Sequence, residues 1–427
     1  GAFMKNLQPA FTKDRNMEDA GAVFFDADGD NDNDLYVVSA GAEFPAGSPL
    51  YQDRLYLNDG KGNFTRAMEA LPTETNNGSH VITLDFDNDG DPDLFVGGGA
   101  TPGGFPLHDK NMLLQNNKGH FSDVTSTYAP ALANTGIVNY AAWGDLDGDS
   151  KEELVVAGEW MAPMIFKIKD GHFILADLSV TTNIKGKETV ISLKQMTGLW
   201  NNVILNDIDN DGDMDILAGN RGLNSRISGT IDQPCTIYAK DFDNNGSYDA
   251  VLGYYIQGKC YPMYHRDQLI DQMPSMRKKF YRYHLYAGKT LDEIFSEEQK
   301  TGIDVYKAAC FESGVFLNDG HGSLNFNPFP EMAQFSTIND MLVTDWNKDG
   351  KKDIIVVGNS SDADVSTGNY DAMAALGLLG DGKGNFLPAP SVIGAEGEVR
   401  RIVPLSKENS FILLLNNAAA KAMKRKD

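Results

Sequence analysis

Residues 85–96 read DFDNDGDPDLFV and place Asp85, Asp87, Asp89 and Asp93 at relative positions 1, 3, 5 and 9 of an acidic loop. A short apolar run follows the loop at once. The same spacing of carboxyl or carboxamide side chains, again followed by an apolar run, occurs at Asp26, Asp28, Asp30 and Asp34; at Asp145, Asp147, Asp149 and Glu153; at Asp207, Asp209, Asp211 and Asp215; at Asp241, Asp243, Asn245 and Asp249; and at Asp345, Asn347, Asp349 and Asp353. Six copies in register argue against surface turns that bind nothing.

The chemistry of these loops predicts bound calcium. Four oxygen-bearing side chains within nine residues repel one another unless a cation lies among them. All the ligands are hard oxygen donors, without His or Cys, which favours Ca²⁺ over zinc or copper, and over the strictly octahedral Mg²⁺. Position 6, where the loop bends, is glycine in four copies and is otherwise Asn31 or Ser150. We expect up to six Ca²⁺ sites, weaker in the fifth and sixth loops, where Asn replaces one carboxylate.

The segments that follow the loops exclude an EF-hand. An EF-hand takes a bidentate Glu from position 12 and has a helix on each side. Position 12 is apolar in every copy: Val37, Val96, Val156, Ala218, Leu252 and Val356. The residues after each loop form short runs rich in β-branched side chains, which predict strands. Each loop should therefore join two strands and take its last carboxylate from position 9.

Composition limits the partners of the chain. The 427 residues carry a net charge of −23, which argues against a nucleic-acid ligand because such proteins need a positive surface. Six bound Ca²⁺ ions would reduce this charge to about −11. The three cysteines are too few for a disulfide framework, and no apolar run is long enough to span a membrane. Since the chain begins at Gly1 without Met, we expect the natural protein to be longer, with a targeting segment removed.

The spacing of the loops predicts a repeat architecture. The first four loops begin 59, 60 and 62 residues apart, and a second hairpin with a Gly-rich turn, such as Arg54–Phe64, recurs between them. Two hairpins make a four-stranded blade, so we predict an all-β, seven-bladed β-propeller in a single domain, residues 1–427. The seventh hairpin, roughly 399–415, lacks an acidic loop, and Ala10-Phe11-Thr12 should complete the last blade as a strand. Loops four and five begin only 34 residues apart, so the outer strands of blade four are short, missing or displaced.

The loops and hairpins together resemble FG-GAP/VCBS repeats. The resemblance rests on the Asp-x-Asp-x-Asp-Gly-x-x-Asp-Leu loops and on the Leu-x-Asn-Asp-Gly-x-Gly-x-Phe hairpins, and it covers nearly the whole chain. Such repeats build the propeller of integrin α-subunit heads and bacterial surface proteins of the cartilage-acidic-protein-like group. The resemblance implies calcium binding and a location outside the cytoplasm, either extracellular or at the cell surface, periplasmic or associated with the outer membrane. It implies no activity, because propellers serve many functions.

Residues 256–312 interrupt the β pattern and predict a helical insertion. Apolar spacing indicates helices at 268–270, 276–285 and 291–299, and Thr290 with Glu293 has the spacing of a capping box. The segment holds six of the 16 tyrosines and a basic cluster in an otherwise acidic chain. It could form a rim that binds an anionic glycan or a protein, or its tyrosines could simply pack the helices onto the blades. The candidate ligand-binding residues are Tyr281, Arg282, Arg277 and Tyr264.

Three functions fit these features. The first is a calcium-binding module that binds a glycan or a protein partner at the cell surface, with adhesion as its role. The second is a calcium-dependent polysaccharide lyase, for which the sequence offers no compact catalytic constellation and no catalytic residue. The third is a scaffold subunit of an outer-membrane complex for glycan uptake. The sequence favours a binding protein over an enzyme, and it predicts no cofactor other than calcium.

Overall fold

The computed structural model describes residues 7–361, 368–390, 393–405 and 410–424. The chain divides into two compact units. The first comprises Gly1–Trp143, Phe166–Leu175 and Asn244–Ala250, and the second comprises Gly144–Ile165, Ala176–Asp243 and Val251–Asp427. No helix among the described residues is long and apolar enough to cross a membrane.

The described residues form 30 strands and seven short α-helices. The first 15 strands are β1 (Glu18–Phe25), β2 (Asp34–Ala40), β3 (Arg54–Asn58), β4 (Phe64–Arg66), β5 (Gly78–Leu84), β6 (Asp93–Gly98), β7 (Met112–Asn117), β8 (His120–Asp123), β9 (Ile137–Gly144), β10 (Glu153–Met161), β11 (Met164–Lys169), β12 (His172–Leu175), β13 (Ser179–Ile184), β14 (Lys187–Ser192) and β15 (Gly198–Leu199). The others are β16 (Asn202–Asn206), β17 (Asp215–Gly219), β18 (Cys235–Lys240), β19 (Asp249–Ile256), β20 (Lys259–Pro262), β21 (Asp304–Ala308), β22 (Gly314–Asn318), β23 (Ser323–Pro328), β24 (Ile338–Thr344), β25 (Asp353–Gly358), β26 (Ala375–Gly380), β27 (Phe386–Ala389), β28 (Val399–Pro404), β29 (Ser410–Leu415) and β30 (Lys421–Lys424). The helices are α1 (Pro9–Lys13), α2 (Thr125–Tyr128), α3 (Arg266–Gln272), α4 (Met276–Lys279), α5 (Tyr283–Tyr286), α6 (Leu291–Ile294) and α7 (Glu297–Lys300).

Four consecutive antiparallel strands form the repeating sheet, as predicted. The orders β1-β2-β3-β4, β5-β6-β7-β8 and β24-β25-β26-β27 follow the chain without a crossover. In each of these sheets the acidic loop joins the first two strands, and position 9 is the first residue of the second strand. Asp34 thus pairs with Phe25, and Asp93 pairs with Leu84. The second strands β6 and β25 are buried along their whole length, which explains their continuous apolar runs.

Seven sheets are present among the described residues, so the all-β prediction is confirmed at this level. One sheet holds β9, β10, β11, β12 and β15, another has the order β20-β19-β18-β21, and the last has the order β28-β29-β30. The arrangement of these sheets as blades of one closed ring remains a prediction. The hairpin predicted at 399–415 and a third strand, Lys421–Lys424, form the last sheet.

The fourth loop belongs to a sheet whose strands are distant in sequence. Its order is β14-β13-β23-β22-β17-β16, and β22 pairs with β17 although about 95 residues separate them. The outer strands of the fourth repeat, β22 and β23, are therefore displaced along the chain. They follow all four strands of the fifth sheet in the sequence. An extra hairpin, β13–β14, adds to the edge through a parallel pairing of β13 with β23. This order explains the short interval between loops four and five.

The insertion is partly helical, and the predicted boundaries change. Residues 256–312 contain the strands β20 and β21 as well as five short helices, and the predicted helix 276–285 is broken into α4 and α5. Buried side chains of this segment, including Met276 and Phe280, join one hydrophobic cluster with Phe242 and Val251 of the fifth sheet region. The predicted capping box of Thr290 and Glu293 is present at the start of α6.

The N-terminal segment differs from the prediction. Ala10-Phe11-Thr12 lies in helix α1, which begins at Pro9, and not in a strand of the last sheet. Phe11 packs edge-on against Tyr56, with ring centroids 4.9 Å apart, and Gln8 donates a hydrogen bond to the Gly62 carbonyl. Proline in the first turn favours the helix, since its fixed φ fits and its missing N–H is not needed there. Residues 1–6, which the single-domain prediction includes, lie outside the described residues.

Candidate metal centres

In five of the six loops the carboxylate at position 9 holds the loop closed by a hydrogen bond from within the core. Asp93 is fully buried, and its Oδ2 accepts the N–H of Phe86 at position 2, at 3.2 Å. The equivalent bond is made by Asp34, Glu153, Asp215 and Asp353, each to the N–H of its own position 2, at 2.8–2.9 Å. A charged acceptor strengthens such bonds. Position 9 therefore has a structural role in addition to any metal.

The second oxygen of the same carboxylate reaches the third strand. Asp93 Oδ1 accepts the N–H of Asn116 at 2.7 Å, and Asp215 Oδ1 accepts that of Asn318 at 2.9 Å. Asp34 and Asp353 accept from Asn58 and Gly380 in the same way. One carboxylate thus fastens the loop, the second strand and the third strand.

The asparagine of the second hairpin also joins successive repeats, a role that sequence reasoning missed. Asn116 Nδ2 donates to the Pro92 carbonyl at position 8 of its own loop, at 3.1 Å, and to the Ala27 carbonyl in the preceding loop, at 2.9 Å. Asn318 Nδ2 makes the equivalent pair of bonds, to the carbonyls of Met214 and Leu146. The recurrence of asparagine at this place in the Leu-x-Asn hairpin motif is the signal that could have revealed it.

Two left-handed residues shape every loop. Position 4 has φ between 56° and 81° in all six copies, and position 6 has φ between 67° and 103°. The sequence indicated only position 6, because position 4 is Gly, Asn or Lys. This backbone aims the position-6 N–H at the position-1 carboxylate, as in the bond from Gly90 N to Asp85 Oδ2 at 3.2 Å. Ser150 and Lys348 adopt this conformation without the freedom of glycine.

The side chain at position 5 is not part of the carboxylate groups that could hold a metal. In every loop its side-chain oxygen accepts the N–H of position 7, as in Asp91 N to Asp89 Oδ1 at 2.9 Å. The carboxylate oxygens that lie within 4.8 Å of one another come from positions 1, 3 and 9, in five groups: Asp26, Asp28 and Asp34; Asp85, Asp87 and Asp93; Asp145, Asp147 and Glu153; Asp207, Asp209 and Asp215; and Asp241, Asp243 and Asp249. In the sixth loop the amide of Asn347 donates to Asp349 Oδ2 at 3.1 Å. Ligation by the predicted position-5 residues remains a prediction.

Several oxygens inside these groups fit a cation. Among the residues that the structure describes, no donor bonds to the buried Oδ1 atoms of Asp85, Asp145 and Asp207, all at position 1, or to those of Asp28 and Asp209 at position 3. A buried carboxylate oxygen without a donor is costly unless a positive charge lies beside it. Burial raises the pKa of Asp93 and of Asp215 to about 7 despite their backbone hydrogen bonds. The donor set therefore suits a hard divalent ion, which would offset this cost.

The predicted ligand-binding residues of the insertion divide into two groups. Tyr281, Arg282 and Arg277 are exposed, and the Arg282 guanidinium lies 5.6 Å from the Tyr281 ring centre. Tyr264 is half-buried and packs against the helical cluster, so unlike the other three it is not exposed. Lys279 in the same basic run donates to the carbonyls of Ile294 and Glu293 and so stabilises the end of α6.

Comparison with known proteins identifies part of the repeat. Residues 26–96 match the FG-GAP-like repeat family. The match spans the first two acidic loops and confirms the predicted resemblance there. No curated protein matches the chain. Among solved structures, the V. cholerae biofilm matrix protein Bap1 is similar over 94% of this chain and 85% of its own, with 11% identity and a TM-score of 0.32. This TM-score is too low for that protein's fold or role to be transferred.

Proposed function

We propose that this chain is a calcium-binding, extracellular FG-GAP-type β-propeller that serves as a binding or adhesion module for a glycan or protein at the cell surface. The observation that carries the proposal is the repeated group of position 1, 3 and 9 carboxylates, which contains buried oxygens without a donor. Their ordered recurrence between paired strands suits a structural ion better than a catalytic one, because each group takes its position-9 carboxylate from the buried start of a strand.

Calcium is the metal that these groups fit best. The FG-GAP-like match covers two of the five groups. Only oxygen donors are present, and the loops can supply further backbone carbonyls and admit water, as the flexible coordination of Ca²⁺ requires. Extracellular modules hold Ca²⁺ with dissociation constants of about 10⁻⁴–10⁻³ M. Such sites are filled where calcium is millimolar, which supports a location outside the cell.

A propeller is the arrangement proposed for the seven sheets. Sheets of four antiparallel strands, such as β1-β2-β3-β4, are the usual unit of that architecture. A rigid ring would present its loops and insertions to a partner without large rearrangement, which limits the entropic cost of binding. We therefore propose that a partner binds to the segments that depart from the four-stranded repeat. Residues 256–312 are the longest such segment that contains helices.

The test is thermal unfolding with calcium and with excess chelator. At a calcium concentration ten times the dissociation constant, each site stabilises the folded state by about 1.4 kcal/mol. Five sites should therefore raise the Tm by roughly 10 °C. Native mass spectrometry should find at least five calcium ions, one for each carboxylate group. An Asp207→Asn variant should lose one ion, whereas Asp59→Asn, in a hairpin turn outside these groups, should lose none. An unchanged Tm in chelator, or a chain free of calcium at millimolar concentration, would refute the proposal.

A further inference from the structure

The hairpin β19–β20 presents one face that carries aromatic and basic side chains. The strands pair with Tyr254 opposite Tyr261 and Ile256 opposite Lys259. Paired residues project to the same side of a sheet, and residues two apart share that side. These four side chains therefore lie together, whereas Tyr255 and Cys260 face the other way. The turn Gln257-Gly258, with positive φ at both residues, is the tight type that such a hairpin requires.

Helix α5 and the loop after it complete a groove over this face. Tyr254, Ile256, Lys259 and Tyr261 line a cavity of about 500 Å³ together with Tyr286 and Lys289. We call it the tyrosine groove. All six residues belong to the second compact unit. A cavity of this size accommodates a ligand of several rings.

The third tyrosine of the groove is held in place. Tyr286 donates its hydroxyl hydrogen bond to the Tyr264 carbonyl at 2.8 Å, and its ring packs edge-on against Phe280, with centroids 5.3 Å apart. Phe280 belongs to the buried cluster of the helical segment. The groove wall is thus preorganised, which lowers the entropic cost of binding a ligand against it.

The other two tyrosines offer polar groups to a ligand. Within the described part of the chain, the hydroxyls of Tyr254 and Tyr261 make no hydrogen bond, and both side chains are half-buried. A half-buried aromatic ring with an available hydroxyl can stack on the C–H face of a sugar ring and hydrogen-bond to its hydroxyls.

Two lysines place positive charge in the groove of a chain whose net charge is −23. Lys289 Nζ lies 3.1 Å from Glu293 Oε1, so part of its charge is balanced. Lys259 is exposed and has neither an ion pair nor a hydrogen bond among the residues that the structure describes. An ammonium group in this position attracts a carboxylate or sulfate, and the surrounding negative charge disfavours anions elsewhere on the molecule.

We infer that the tyrosine groove binds a chain of anionic pyranose units, with its tyrosines on the sugar faces and Lys259 on a carboxylate or sulfate group. The inference rests on the proposed function as a binding module and names its ligand class. It moves the site from the exposed Tyr281 and Arg282 to residues that form a cavity. A neutral sugar would leave Lys259 without a partner, and an acidic peptide would lack rings for the tyrosines.

The experiment measures binding to the full chain by calorimetry, with calcium held at a millimolar concentration. The probes are a short oligogalacturonate, a sulfated carrageenan oligosaccharide without uronate, a neutral cello-oligosaccharide and oligoglutamate, all of similar length. We expect at least one of the two anionic sugars to bind about tenfold more tightly than the neutral sugar and oligoglutamate. The first two probes decide whether carboxylate or sulfate is the recognised group. Equal binding of oligoglutamate, or no binding of either anionic sugar, would overturn the inference.

Matched variants locate the site. Lys259→Gln should weaken binding of the anionic sugar about tenfold, and Tyr254→Ala with Tyr261→Ala should abolish it. The control Lys187→Gln removes an exposed charge on β14, outside the groove, and should leave affinity unchanged. Loss of binding in the control but not in Lys259→Gln would overturn the assignment. Because Lys259 is exposed, its variant should keep the wild-type Tm, and calcium binding in that variant reports separately on the proposed function.

Discussion

At the scale of the residue, one carboxylate connects three segments of chain. Asp93 begins β6, accepts the N–H of Phe86 in its loop and accepts the N–H of Asn116 in β7. The acidic residue four positions earlier, Asp89, is exposed and accepts the N–H of Asp91 within its own loop. Asp93 and Asp89 look alike in the sequence pattern. Because only Asp93 is buried, the two residues should contribute differently to the free energy of unfolding.

Replacing Asp93 by Ala should therefore cost far more stability than replacing Asp89. In chelator, Asp93→Ala leaves two buried backbone N–H groups without acceptors, and we expect a loss of about 3 kcal/mol. Asp89→Ala should lose less than about 1 kcal/mol under the same conditions. Denaturant unfolding of both variants measures the difference. Equal losses would show that position 9 has no special structural role.

Backbone strain gives a second prediction at this scale. Ser150 has φ 67° at position 6 of the third loop, and its side chain is exposed. The left-handed conformation costs a non-glycine residue about 1–2 kcal/mol, partly offset by the greater entropy that glycine loses on folding. Ser150→Gly should raise the free energy of unfolding by about 0.5 kcal/mol. Ser150→Val should lower it by about 1 kcal/mol, since β-branched residues tolerate positive φ poorly. A gain of stability in the Val variant would contradict this account.

At the scale of the element, successive repeats depend on one another through side-chain amides. Asn116 in β7 is buried and bonds both to its own loop and to the Ala27 carbonyl in the loop of the preceding sheet. In the second unit, Asn318 in β22 reaches the Leu146 carbonyl, although 172 positions separate them. Tertiary contacts thus join elements that the sequence keeps apart.

Removal of this amide should weaken the connection between the first two sheets. Asn116→Ala leaves the carbonyls of Ala27 and Pro92 without their side-chain donor, and we expect the free energy of unfolding to fall by about 2 kcal/mol. Amide hydrogen exchange should increase in both acidic loops of this pair. The neighbouring Asn117 is exposed and makes no side-chain hydrogen bond in the described structure, so Asn117→Ala should change stability by less than about 0.5 kcal/mol. Similar effects of the two variants would refute the role assigned to Asn116.

At the scale of the whole molecule, calcium and net charge act together. A charge of −23 opposes the compact state through self-repulsion. Divalent ions in the five carboxylate groups would reduce it to about −13.

The Tm should therefore depend more strongly on salt concentration when calcium is removed. In chelator, raising the ionic strength from about 10 mM to about 300 mM shortens the screening length from roughly 30 Å to roughly 6 Å, so the Tm should rise by several degrees. With calcium bound the same change of salt should have a smaller effect. Differential scanning calorimetry at both ionic strengths measures the Tm. Equal salt dependence with and without calcium would show that loop carboxylates contribute little to the repulsion.

The sequence by itself determined the local features of this protein. Carboxylates at fixed spacing, apolar runs and Gly-rich turns specify loops, strands and hairpins within about 20 residues, because local backbone preferences decide them. Accordingly the acidic loops, the paired strands, the last hairpin and the capping box at Thr290 were all predictable. So was the FG-GAP resemblance, which is confirmed over residues 26–96.

Only the tertiary structure decided which distant segments meet. Strands β22 and β23 join the sheet of the fourth loop because the β17 edge offers them backbone partners and a buried apolar face, and no local signal carries that choice. The same holds for Ala10–Thr12, which has strand-like neighbours in sequence but forms a helix against Tyr56 and Phe64. It also holds for the tyrosine groove, whose residues are brought together by strand register and by the packing of α5. Long-range packing selects among local possibilities of similar energy, and that selection depends on contacts that a spacing pattern does not contain.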